Sequence, residues 1–330
     1  MKQALGLAMA LVVSGCTAET AIAPTSVSRG TSAVSGRAIG ASTRSNKTIP
    51  VVYVLGGTGV EEWYGLSEIG SPFGYDGSHY LLSIFTDHRG NVYAGDQATI
   101  NEYPPGGAQQ PLQTWNAPMG ESNNWQYIAV CPDGRLYVDY FISESSEFMA
   151  IYAKGSKNPT TLLAPPHDSF FGPLACQSQS NLVAMVYSGN SNYLERFEPG
   201  RKHGTRLPAT PEHGSLVNFQ LDTKGRIAAF VFPSGNPPPQ VYVEFFLPTS
   251  KVPFSTTTLS NGGVFHGDFT GEFAFAADNT NNMWFTMDGY PPDQLAPVQE
   301  YNKHGKQLFN FGFEQIEPYY IATGWAPSPN

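Results

Sequence analysis

The sequence predicts an all-β fold: a six-bladed β-propeller of four-stranded antiparallel blades, closed by strands from both termini. Three observations predict it. The composition favours strands and turns, with 21 Phe, 17 Tyr, 34 Gly and 27 Pro in 330 residues and only 14% charged residues. After the first 16 residues no long segment carries a 3.6-residue apolar period, which disfavours α/β folds. One strand–turn–strand phrase returns five times at a spacing of about 45 residues, stretching to about 56 for the last.

The first element is not part of that fold. "MKQALGLAMALVVSGC" has a basic Lys2, an apolar run from Ala4 to Val13 and small residues before Cys16, the layout of a secretory signal. The run is too short to span a bilayer as a helix. Val13-Ser14-Gly15-Cys16 resembles the bacterial lipobox. That resemblance implies cleavage before Cys16, lipid attachment at Cys16 and a firm anchor from several acyl chains. Thr17 stands where the inner-membrane retention signal of such proteins has Asp, which points to the outer membrane. Residues 1–15 are therefore read as a lipoprotein signal peptide. Residues 16–46 are small, polar and free of aromatics, too poor in apolar surface to offset ordering entropy, and are read as a lipidated flexible tether.

Residues 47–330 hold the repeats. Their turns are "DHRGNVYAG", "CPDGRLYVD", "QSQSNLVAM", "DTKGRIAAF" and "DNTNNMWFT", aligned on Tyr93, Tyr137, Val183, Ala228 or its neighbour Ile227, and Trp284. An apolar strand precedes each turn and a second strand follows. A third strand then carries an aromatic: Tyr103, Tyr152, Phe197, Phe245 and Tyr301. A short fourth strand completes each unit, as in "PLQTW" and "FSTTTL". Four short antiparallel strands per unit is what a propeller blade requires. A β-sandwich or a solenoid would not need this order five times. The sixth blade is expected from the ends, with "EPYYIATG" supplying a first strand and "IPVVYVLGG" a second.

"GNVYAGDQATINEYPPG" is similar to the second and third strands of NHL-type repeats. "CPDGRLYVDY…MAIYAKGSKNPTTLL" resembles repeats of bacterial propeller lipoproteins of the NHL and virginiamycin-B-lyase-like superfamily. The likeness covers most of residues 80–310 and implies the propeller fold. The third repeat departs most, with Ser180 in place of Gly and Val183 in place of Tyr. The lyase-like relatives use His and Glu, and no motif carries those positions over to this chain.

Four of the seven histidines precede first strands: His79, His167, His213 and His266. Asp168 and Asp268 lie beside them. Ring symmetry would gather such loops near one axis, where neutral imidazoles suit a divalent metal or acid–base work. Their distances to the turn motifs differ by several residues, so strict equivalence fails, and polar loops contain histidine for ordinary reasons. The loops between second and third strands share that face and carry Tyr140, Phe141, Tyr187 and Tyr290, with Asn190, Asn192 and Asp288. Flat aromatics beside amides and carboxylates suit a glycan or a peptide. The same aromatics would equally fold back onto the blade tops.

Cys131 and Cys176 end first strands in neighbouring repeats of an exported chain and are expected as buried free thiols, with a disulfide between blades as the alternative. Their offset by one residue in the alignment points them to opposite sides of the strand. The net charge of −9 opposes binding to nucleic acid. No phosphate loop, HExxH, CxxC, GxSxG or EF-hand loop is present, so no cofactor and no metal set is expected. The expectation is a monomeric, exported lipoprotein of the bacterial cell envelope. Its propeller would be a noncatalytic binding or scaffold module for a glycan, a peptide or an envelope protein. The alternative is a metal-dependent lyase or hydrolase using histidines at the mouth of the central channel.

Overall fold

In a computed structural model, the described residues are 48–56, 59–64, 67–70, 73, 81–96, 98–116, 124–143, 146–166, 168–178, 180–189, 191–222, 224–233, 240–259, 273–275, 280–286, 298–311 and 320–327. Their regular elements are all strands. Sheet I contains β1 (Thr48–Gly56), β2 (Gly59–Tyr64) and β3 (Ser67–Gly70). Sheet II is β4 (Leu81–Thr86), β5 (Val92–Asp96), β6 (Thr99–Tyr103) and β7 (Gln113–Asn116). Sheet III is β8 (Asn124–Val130), β9 (Leu136–Ser143), β10 (Ser146–Tyr152) and β11 (Thr161–Leu163). Sheet IV is β12 (Phe170–Cys176), β13 (Leu182–Ser188), β14 (Ser191–Phe197) and β15 (Thr205–Arg206). Sheet V is β16 (Ser215–Leu221), β17 (Ile227–Phe232), β18 (Val241–Phe246) and β19 (Ser255–Leu259). Sheet VI is β20 (Phe273–Phe275), β21 (Met283–Thr286), β22 (Val298–Tyr301) and β23 (Gln307–Phe311). β24 (Tyr320–Pro327) lies against β1, with Val52 opposite Thr323 and Val54 opposite Ile321.

The protein is an all-β propeller of four-stranded antiparallel blades. Five sheets are unbroken runs of chain, and sheet I has the order β24–β1–β2–β3. The repeated phrase has a physical origin in the second strands. β5 is buried at every residue and β17 at all but its last, because each is covered on both faces. Along β17, Ala228 and Phe230 pack toward sheet VI, while Ile227, Ala229 and Val231 pack toward sheet IV. A strand covered on both sides reads as an apolar run rather than an alternation. At the turn before the second strand, Gly90, Gly134 and Gly225 have φ of 83°, 88° and 71°, and Asn281 takes the same left-handed place at 58°.

The third-strand aromatic packs on the preceding sheet. Tyr103 lies with Tyr53 and Ala322 of sheet I, and Tyr152 with Tyr93 and Trp115 of sheet II. Tyr152 Oη also donates to the Asn116 carbonyl at 2.8 Å, so the ring both fills and ties the seam. In sheet V this place belongs to Phe246, which pairs with Ile227 and is fully buried, and not to Phe245 as the sequence alignment has it. "VEFF" offers two adjacent aromatics, and a choice one residue away faces the other side of the sheet.

Two further expectations are corrected. Cys131 and Cys176 form a disulfide, with Cα atoms 5.2 Å apart. The one-residue offset is real, since Val130 pairs with Leu136 while Cys176 itself pairs with Leu182. Neighbouring blades, however, meet through opposite faces, so opposite parity is what lets the two thiols converge in the III–IV seam. Tyr140 is not a loop residue. β9 runs on to Ser143, and Tyr140 is buried among Trp115, Ile128 and Tyr152.

Candidate functional site at the loop face

The second-to-third-strand connections and the segments leading into first strands emerge at one end of the sheets. There, polar side chains at the start of third strands hold the start of the next inner strand. Glu147, second in β10, accepts the Phe171 N–H of β12 at 2.7 Å. Asn192, second in β14, donates through Nδ2 to the Leu216 carbonyl of β16 at 2.7 Å. Phe171 and Leu216 are each the second residue of their strand, so one device is repeated in two seams. Tyr187 belongs to the same group. It is next to last in β13, donates to the Val217 carbonyl at 3.5 Å, and lies so close to Gly172 that a Cβ there would come 2.5 Å from Cε2.

The segment between β15 and β16 is held more strongly. Glu244 on β18 is fully buried and accepts the backbone N–H groups of Glu212 and His213, each at 2.9 Å, and His213 Nδ1 at 2.7 Å. Three donors satisfy a carboxylate that burial would otherwise make costly. A carboxylate only accepts, so Nδ1 is the donor in this bond. The imidazole stacks on Tyr242 with centroids 4.4 Å apart, and its side chain is 39% exposed. Gly214 follows, and a Cβ there would meet the Phe232 carbonyl oxygen at 2.1 Å, so only glycine lets the segment pass. Sheet IV repeats the arrangement in another form. Tyr193 and Glu195 occupy the places of Tyr242 and Glu244, and the Arg206 guanidinium lies 4.2 Å from the Tyr193 ring centroid. Burial pushes the Glu195 carboxyl up, against the pull of Arg206 and His203.

Of the four loop histidines, His213 is therefore drawn to a third strand, outward from the innermost one. His79, His167 and His266, with Asp268, Tyr290, Asn190, Asp288 and Cys16, lie outside the described residues. Asp168 is exposed with φ of 56° in the turn before β12. Among the described residues no group of three or more His, Cys, Asp and Glu could hold a metal ion. Sequence reasoning missed Glu244, Tyr242, Glu147 and Asp139. One signal was present. A polar residue recurs at the same third-strand place, as Asn101, Glu195, Glu244 and Gln299, opposite Ala94, Ala184, Ala229 and Phe285.

No family model matches the chain, and no curated protein sequence does. Solved structures share the fold. A putative TolB from Agrobacterium tumefaciens superposes with a TM-score of 0.54 at 11% identity, over 86% of this chain and 100% of its own. A protein of unknown function from Bacteroides caccae gives 0.51 at 12% identity, over 84% of this chain and 99% of its own. At such identities the likeness is one of fold alone.

Proposed function

We propose that the protein is an exported lipoprotein, anchored through Cys16, whose propeller is a noncatalytic binding or scaffold module. The observation that carries this reading is the fastening of one face. Glu147, Asn192 and Glu244 fix the strand starts and leading segments there, which makes a rigid platform for the connections that emerge from it. Propellers host binding modules as well as enzymes, so the fold is compatible with this reading without choosing it. The same proposal takes sheets I–VI as one six-bladed ring, with β24 on β1 as its closure. Val52, Val54 and Ile321 packed with Ala274, Trp284 and Val298 support it. It also takes the chain as an NHL-like or virginiamycin-B-lyase-like monomer at the outer membrane, with the signal peptide, tether and propeller bounded as above. The ligand is a glycan, a peptide or an envelope protein.

The test uses the Cys16→Ser chain, purified in soluble form and screened against glycan and peptide arrays. Saturable binding weakened at least about tenfold by substitutions in the 233–240 connection supports the reading, because a binding contact is worth about 1.4 kcal/mol or more per tenfold. Lipidation is checked separately by the mass of the native N-terminal peptide. A second reading, a metal-dependent lyase or hydrolase, is favoured by one observation: His213 is oriented by a buried carboxylate, as an acid–base histidine is. Stoichiometric Zn²⁺ in the purified protein, lost on substituting His213 and His266, would replace the first reading by the second.

A further inference from the structure

Two carboxyl groups lie in the III–IV seam and have no part in the binding reading beyond one hydrogen bond. Asp139 on β9 has no exposed surface, and Glu147 on β10 is 6% exposed. Met149 stands opposite Asp139, and Glu147 precedes Met149 by two residues, so both acids face the same side as Met149, toward sheet IV. Glu147 Oε1 takes the Phe171 N–H. Among the described residues its Oε2 and both oxygens of Asp139 make no well-formed hydrogen bond, the Tyr140 backbone giving Asp139 only weak support. Two ionised carboxylates in such a place would repel one another and be left without solvation. A single proton resolves both difficulties, since it neutralises one acid and supplies the missing O–H···O bond.

We propose that Asp139 and Glu147 share one proton, and that this proton is a pH-sensitive latch between third strand β10 and inner strand β12. Between its two titrations the pair carries one charge and Glu147 holds the Phe171 N–H. As pH rises the proton leaves, the two carboxylates repel, and the β12 end of the seam loosens. Burial, and then the Glu147 charge, push the Asp139 carboxyl well above the usual carboxylate range. Burial also pushes Glu147 up, opposed by its bonds to Asp139 and to Phe171. Among the described residues the surrounding elements offer no counter-charge to this pair. Tyr127 on β8, Tyr137 and Tyr140 on β9, and Tyr187 and Tyr193 on β13 and β14 are phenols and bring no positive charge. Glu195 on β14 is opposite Arg206 in its own sheet, and Asp168 before β12 is exposed. β11 and β12 bring no titrating side chain, Cys176 being bonded. His167 lies outside the described residues.

The sign follows from linkage. Acids whose folded values are raised stabilise the fold fully below their unfolded values, near about 4, and lose that contribution as pH climbs through the raised folded values. The experiment is performed on the full chain. Its infrared spectrum at about pH 6, where ordinary Asp and Glu are ionised, is expected to keep a protonated-acid carbonyl band. In Asp139→Asn that band should lose the intensity that belongs to this pair, while any share of Glu102 and Glu195 stays. The melting temperature of the parent should fall relative to Asp139→Asn by about 3 °C or more between about pH 5 and about pH 9, because Asn keeps a donor toward Glu147 at every pH. Where Asp139→Asn does not fold, Glu147→Gln replaces it in the same comparison, and the parent's own infrared titration stands without a variant. Absence of the acid band, an acid band as strong in Asp139→Asn as in the parent, or a melting difference that does not change with pH, overturns the proposal.

Discussion

Removing the link between Cys131 and Cys176 is the perturbation whose size can be worked most directly from the structure. The bond closes a loop with a sequence separation of 45 and joins the ends of two neighbouring inner strands. Chain-entropy reasoning gives such a closure about 4 kcal/mol of stabilisation at 25 °C, because the open unfolded chain has that much more freedom to lose. For a body the size of Asn46–Asn330 the unfolding entropy is about 0.6 kcal/mol per degree, so the melting temperature should fall by about 7 °C. The assay is thermal unfolding followed by circular dichroism on the Cys16→Ser chain, with and without reductant. Comparing one sequence in two redox states avoids confusing lost covalency with a cavity. The Cys131→Ala/Cys176→Ala chain should melt near the reduced parent and ignore reductant. Thiol titration of the denatured, unreduced parent should find none free. Two titratable thiols, or a reductant shift below about 2 °C, would refute the reasoning.

Three other outcomes follow from close contacts and buried acceptors. Gly172→Ala should cost about 1–3 kcal/mol in urea unfolding, because its Cβ meets the Tyr187 ring, and less than about 1 kcal/mol in a Tyr187→Ala background. Glu244→Gln should cost about 1–3 kcal/mol by the same measurement, since an amide cannot accept from three donors without turning its own NH₂ against one. His213→Ala should cost less than Glu244→Gln, its side chain being partly in solvent and the two backbone N–H bonds being kept. The reverse order would mean that the imidazole, and not the carboxylate, holds the 212–213 segment.

The four-strand repeat was legible because its marks are physical necessities of a blade covered on both faces. Val92, Leu136, Leu182, Ile227 and Met283 start buried second strands, and Tyr103, Tyr152, Phe197 and Tyr301 fill the seam behind them. What escaped notice depends on which face a residue meets. Phe245 and Phe246 differ by one position, and only the pairing with Ile227 separates them. For the cysteines the parity was read correctly, but its consequence was inverted, since sheets stacked around an axis touch through unlike faces. Glu147, Asp139 and Glu244 escaped because an acid in a strand ordinarily marks the solvent side. Here each is buried, two of them bonded to backbone of the adjoining segment. Tyr140 and Tyr187 read as loop aromatics because the strands outrun their apolar patterns by two or three residues.

The disulfide sits at the end of the III–IV seam opposite the Glu147–Phe171 bond, so that seam is riveted at one rim and pinned at the other. A protease that clips the exposed 153–160 turn would cut the polypeptide without parting the pieces, because the cut falls inside the covalent circle. Such a molecule would migrate as one band on a non-reducing gel and as two after reduction, and its eight linked strands would leave or regain the native state together.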